Sequence, residues 1–194
     1  MPSSFGAPAK ASATEVENKI KLNVLSYTPE GTLTSNVSST LKNNISTYLS
    51  NHRMINDYIM VGSAKVIDLR LEIDLIIAND VNQSEVVTNV ITVVGDYFKT
   101  DKIEMGQDLS LGELRKQIMN QEGVSNIVDV RVYNQVGDPY SQSVSTQPYI
   151  NNTTKQIGLI DDTIFAQPDE ILQIMSPQKD IAVRTKRNTK PTFS

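Results

Sequence analysis

The chain has 194 residues, 39% of them hydrophobic, which suffices to bury one large core or two small ones. It has no cysteine and a single histidine, which excludes disulfide staples, thiolate chemistry and the usual zinc ligand sets. The formal net charge is -4, yet Arg184, Lys186, Arg187 and Lys190 stand without an acid in residues 184–194, so an acidic body carries a basic tail.

Residues 1–16, rich in Ser, Ala and Pro, read as a flexible arm. MPSSFGAPAKASATE lacks the basic start and apolar middle of a secretory signal, and no apolar run reaches the roughly eighteen residues of a membrane span. The sequons at Asn36, Asn44, Asn82, Asn151 and Asn152 are accordingly read as chance.

Ile20 to Tyr27 alternates Ile20, Leu22 and Val24 before the turn signal Pro29 to Gly31, which predicts a strand. Val37, Leu41, Ile45, Tyr48 and Leu49 then recur at helical spacing behind Ser35 or Asn36 as N-cap, and that helix is expected to end near residues 51–53. A short strand at Asp57 to Val61 follows, with a bend or bulge at Gly62 and Ser63.

From Lys65 the alternation is strict, with Ile67, Leu69, Leu71, Ile73, Leu75 and Ile77 on one side and Asp68, Arg70, Glu72 and Asp74 on the other. Period two over this length predicts a half-buried strand of roughly 40 Å with its charged row turned outward.

Asn82 with Glu85 forms a capping-box pattern, and Val87, Val90, Val94, Tyr97 and Phe98 make one face of a second helix to about Lys99. Ser110 with Glu113 opens a third, with Leu111, Leu114, Ile118 and Met119 inward and Gly123 as its C-cap. Ile127 to Tyr133 is strand again.

After Asn134 the sequence turns polar, and 134–156 reads as a long surface loop. Strand character returns at IGLIDDTIF, and EILQIM, SPQKD and IAVRT together read as a hairpin from Glu170 to Thr185. The expected fold is α+β: a mixed sheet with amphipathic helices on one face, in the order β-α-β-β-α-α-β across 17–134, then a loop-rich β-hairpin region over 135–183 and the basic tail of 184–194.

Catalytic inventory is scarce. The one histidine, His52, falls at a helix end, where the C-terminal dipole favours it, rather than beside a nucleophile. No phosphate-cradling glycine loop occurs, and a metal-dependent or small-molecule enzyme would have to rest on Asp161, Asp162 and Asp169. Asp68, Glu72 and Asp74 are separated by the neutralising Arg70, and Asp169 is followed by Glu170. The basic tail lacks the interleaved aromatics of a nucleic-acid surface. Tyr140, Tyr149 and Phe165, in the loop-rich part, read as anchors for another chain.

RMINDYIMV before the long alternating strand, DYF closing the second helix, SLGELRKQI, EGVSNIVDVRVY and the ending DEILQIMSPQKDIAVR follow one another in a characteristic order. In these motifs the chain resembles the C-terminal part of the large baseplate wedge proteins of contractile-tailed bacteriophages, the baseplate-J-like family, over about Lys19 to Tyr133. Members of that family are much longer.

The resemblance implies a non-enzymatic structural protein of the virion tail, assembled in the host cytoplasm. It implies self-association into dimers and contact with other wedge proteins in a ring around the tail hub. It implies no catalytic, cofactor or metal residues, and no nucleic-acid, membrane or small-molecule partner.

Overall fold

The computed structural model describes residues 7–17, 19–52, 58–146 and 149–187. Among the described residues the fold is α+β, with mixed sheets and four helices. Two larger sheets and one two-stranded pair share the described strands. The smaller of the two sheets is built from β1 (Lys10–Val16), β2 (Lys19–Tyr27), β3 (Leu33–Thr34) and β4 (Ile59–Ser63), with β1 antiparallel and β4 parallel to β2.

The parallel pairing of β2 and β4 requires a crossover, which α1 (Ser39–Ser50) supplies. The Ser38 hydroxyl accepts from the Leu41 amide at 3.2 Å, so the N-cap is Ser38 rather than Ser35 or Asn36. Ile45 of α1 packs with Val24 and Val37 in a small cluster of its own.

Where a flexible arm was expected, Lys10–Val16 is a paired strand. Its more covered positions are the polar Lys10, Ser12 and Thr14, while Ala11, Ala13 and Val16 are exposed, so the strand carries no hydrophobic periodicity to read. Lys10 also reaches Glu104 at 2.9 Å, and the Ser12 hydroxyl donates to the Pro168 carbonyl at 2.6 Å. Residues 1–6 lie outside the described residues.

The chain passes from one sheet to the other at Ala64, whose N–H donates to the Val24 carbonyl at 3.0 Å. β5 (Lys65–Ile77) then forms the spine of the larger sheet. On one edge it pairs antiparallel with β7 (Val124–Gln135), which in turn holds β8 (Gln156–Ile157). On the other edge lie β10 (Glu170–Gln173) and β11 (Ile181–Arg187), both parallel to β5.

The expected hairpin from Glu170 to Thr185 is therefore absent. The turn SPQKD is a one-turn helix, α4 (Pro177–Asp180), which carries the chain onward in the same direction, so β10 and β11 line successive halves of β5. The first residues of the expected basic tail, Arg184–Arg187, belong to β11, and 188–194 lie outside the described residues.

α2 (Gln83–Tyr97) and α3 (Leu111–Met119) bury Val86, Val90, Val94, Leu111, Leu114 and Ile118 in one cluster with the inward row of β5. Ile67, Leu69, Leu71, Ile73 and Ile77 of that row are all 0% exposed, each burial stabilising by about 1.5–3 kcal/mol before entropy is counted. The Asn82 and Ser110 caps form as expected, accepting from Ser84 and Glu113.

Three details differ. Val86 rather than Val87 is the buried valine of the first turn, Met119 is 40% exposed, and the C-cap of α3 is Asn120. Gly123 instead takes a φ of +84° three residues after the cap, just ahead of β7. A last short pair, β6 (Leu109–Ser110) with β9 (Thr163–Ile164), ties the start of α3 to the late region.

Candidate functional site

The charged row of β5 divides into two parts with different surroundings. At its start Asp68 is 2% exposed, against the expectation of an outward, solvated acid. Its carboxylate accepts from the Ser141 N–H at 2.7 Å and from the Gln173 side-chain amide at 2.8 Å. Burial is the main influence and pushes the Asp68 carboxyl above its usual range, against those hydrogen bonds.

The covering group is the loop after β7. The Ser141 hydroxyl donates to the Val66 carbonyl at 2.5 Å, and Asn134 accepts from the Ser145 N–H at 2.7 Å while donating to the Asp68 carbonyl at 3.2 Å. Tyr140, read as an anchor for another chain, instead turns inward and donates its hydroxyl to Asp180 of α4 at 2.5 Å. That bond to a buried carboxylate pushes the Tyr140 phenol up to about 12.

Gln173 completes the network by exchanging hydrogen bonds with the Leu33 N–H and C=O, each at 3.3 Å, which joins the small sheet to the large one. A cleft of about 130 Å³ lies beside it, lined in part by Thr32, Asp68, Tyr140 and Gln173. Both Asp68 oxygens and the Tyr140 proton are engaged within the protein. Such a network clasps the loop against the start of β5.

Beyond the loop the row is open. Glu72 meets Arg70 at 3.1 Å, Arg184 at 3.3 Å and Arg131 at 3.4 Å. Arg131 also reaches Asp74 and Asp129, each at 2.8 Å, and Asp74 is the main reason its guanidinium is held above its ordinary value. Arg70 lies over the Tyr133 ring at 4.7 Å.

A bulge adjoins this array. Asp74 and Leu75 pair with Asp129 and Ile127, so Val128 is skipped by the ladder and stands 58% exposed. It borders a cleft of about 210 Å³ lined by Asp74, Leu75, Arg184, Thr185 and Lys186, and Asp74 Oδ1 is buried without a hydrogen-bond partner.

Two of the three acids proposed for a metal-dependent enzyme are engaged by separate cations. Asp162 faces Arg115 at 3.2 Å, Asp169 faces Lys65 at 3.5 Å, and Asp161 and Asp162 occupy a turn with φ of 51° and 54°. No group of three or more acids and histidines able to hold a metal occurs among the described residues. His52 closes α1, its Nδ1 at 2.8 Å from the Tyr48 carbonyl and its ring stacked on Tyr48. No helix among the described residues is long and apolar enough to cross a membrane.

The sequence reading missed Arg131 as the hub of the open array. Its signal was present: Asp129, Arg131 and Tyr133 alternate in IVDVRVY with the phase of a second charged row. Gln173, Ser141 and the Tyr140–Asp180 bond carried no comparable signal. The chain matches no protein-family model and no curated protein sequence.

Proposed function

We propose that the chain is a structural component of a contractile-tail phage baseplate wedge, acting by self-association and by contacts with other wedge proteins in the ring around the tail hub. It works as a binding surface rather than as an enzyme. The observation that carries the reading is the ordered set of motifs ending in DEILQIMSPQKDIAVR. Residues 53–57 of the first motif lie outside the described residues and its remainder runs into β4 of the smaller sheet, the next three motifs fall on α2, α3 and β7 of the body around β5, and the last runs along the other edge of β5 as β10, α4 and β11.

The charged array supports the same reading. A sheet face carrying several exposed ions of both signs is suited to selecting a polar partner surface.

Antibody labelling of intact particles of the virus that encodes the chain tests the proposal. Label at the baseplate end of the tail is expected, whereas particles that carry no label and whose protein content lacks the chain would overturn it. Light scattering behind size-exclusion chromatography tests the self-association part, for which a mass above one chain is expected.

A further inference from the structure

We infer that the outer edge of β4 takes an added strand, an extended segment of another protein in which an acid alternates with apolar residues. This surface belongs to the smaller sheet, away from the charged array, and does not depend on the assembly reading above.

The ladder between β2 and β4 fixes which backbone groups are engaged. The Ile20 N–H donates to the Tyr58 carbonyl at 2.9 Å and the Ala64 N–H to the Val24 carbonyl at 3.0 Å, so in this parallel register Met60 and Gly62 turn their N–H and C=O toward β2. Those of Ile59, Val61 and Ser63 turn the other way, where no further strand pairs with β4 among the described residues. Outward N–H and C=O groups at every second residue form the template that an extended chain completes.

The two edges of the smaller sheet differ. At the far edge β1 is fastened by the Lys10–Glu104 ion pair and by the bond from Ser12 to the Pro168 carbonyl. β4 reads IMVGS, with no charge and no proline to discourage pairing. Met60 is 56% exposed, and Tyr58 just before the strand is 64% exposed.

Side chains around the edge select the kind of segment. Ile59 and Val61 share the phase of Ile20 and Leu22 on the α1 side, where Leu22, Leu41, Leu49 and Val61 are only partly buried. Tyr58 and Met60 share the phase of Lys21 on the opposite face. Across the two ladders Lys21 has Thr14 and Met60 as neighbours, and it makes no ion pair among the described residues. Its stem leans over the edge strand, since a Cβ at Gly62 would stand 3.0 Å from Lys21 Cε.

An added strand thus meets a cation beside Gly62 and apolar side chains beside Met60 and Tyr58. That favours an acid at one position, an apolar or aromatic residue two positions away, and a β-branched residue between them turned to the α1 side. Edge-to-edge pairing of two copies would meet IMVGS, which has no acid to offer Lys21, so the occupant is a segment of another protein.

The test is a selection of short random displayed peptides on the full chain, followed by fluorescence anisotropy of the recovered peptides. These should carry the spacing of acid and apolar residue just given. N-methylating alternate residues of one such peptide should weaken binding about tenfold or more in one phase and leave it unchanged in the other, because only every second amide meets β4. Val61→Pro removes one outward N–H and none of those bonded to β2, so it should weaken binding by a similar factor with the fold kept. Lys21→Glu should lose the acidic peptides and select basic ones in their place.

No peptide recovered above background, peptides without the acid, N-methylation without a phase, or equal binding by folded Val61→Pro would each overturn the proposal. So would a concentration-dependent mass of the chain alone that Val61→Pro abolishes, since the edge would then belong to a second copy. Should Val61→Pro unfold by far-UV circular dichroism, the N-methyl comparison on unaltered protein decides the matter. None of these outcomes bears on the place of the chain in the particle, which the antibody labelling reads separately.

Discussion

The Tyr140 hydroxyl donates to Asp180 at 2.5 Å across 40 residues of chain, fastening the loop after β7 to the single helical turn between β10 and β11. The other Asp180 oxygen accepts from the Ser176 N–H at 2.7 Å, so the carboxylate serves two elements at once. Removing the phenol oxygen leaves one buried carboxylate oxygen without its donor. Tyr140→Phe is expected to cost about 1–3 kcal/mol in urea unfolding. Ultraviolet titration gives a second reading: one phenol should titrate at about 12, and that step should vanish in the variant.

Asp68 predicts a pH dependence of a definite sign. Its native carboxyl is raised by burial, so over an interval above the unfolded value of about 3.9 the native state holds a proton that the unfolded chain has released. Its contribution to stability is fully present below that unfolded value and is lost as pH rises through the native one. Wild-type protein should therefore gain stability relative to Asp68→Asn as the pH falls from about 7 toward about 4. A difference that stays constant over this range would remove burial as the governing influence.

Gly123 and Gly31 make a matched pair for separating strain from collision. Both have positive φ, +84° and +86°. A Cβ at Gly31 would meet nothing within 4 Å, whereas one at Gly123 would stand 2.8 Å from Val86 Cγ2 and 3.1 Å from Val81 Cγ1. Gly31→Ala should cost about 1–2 kcal/mol from backbone conformation alone. Gly123→Ala should cost that amount and a further roughly 1–3 kcal/mol for the displaced valines, measured by thermal unfolding.

Calcium or magnesium should leave the melting temperature unchanged, because Asp162 and Asp169 are engaged by Arg115 and Lys65 rather than converging. A site filled at a hundredfold excess over its dissociation constant would add about 2.7 kcal/mol. A rise of several degrees on adding either ion would establish such a site and reopen the enzymatic alternative.

What the sequence revealed followed from local periodicity. The inward row from Ile67 to Ile77 and the Asn82 and Ser110 caps were legible because each depends on neighbours within a few positions. β1 was not, since its covered face is the polar row Lys10, Ser12 and Thr14, and neither was the direction of β11, since a one-turn helix and a hairpin loop share the residues SPQKD. Asp68 misled for a related reason. Its phase on β5 is that of the outward ions, and its burial is set by Ser141 and Gln173, which lie 73 and 105 positions away.

The placement of β10 and β11 on the free edge of β5 bears on how the molecule is made. Asp68 meets Gln173 across 105 positions and Glu72 meets Arg184 across 112, so the larger sheet has a high contact order. While the chain is being synthesised, β5 and β7 can pair early, but the other edge of β5 stays bare until nearly all the described residues have emerged from the ribosome. Over that interval a long, apolar, unpaired strand edge is open to capture by another nascent chain. Charged side chains such as those at every second position from Asp68 to Asp74 are a general device against wrong pairing at such an edge.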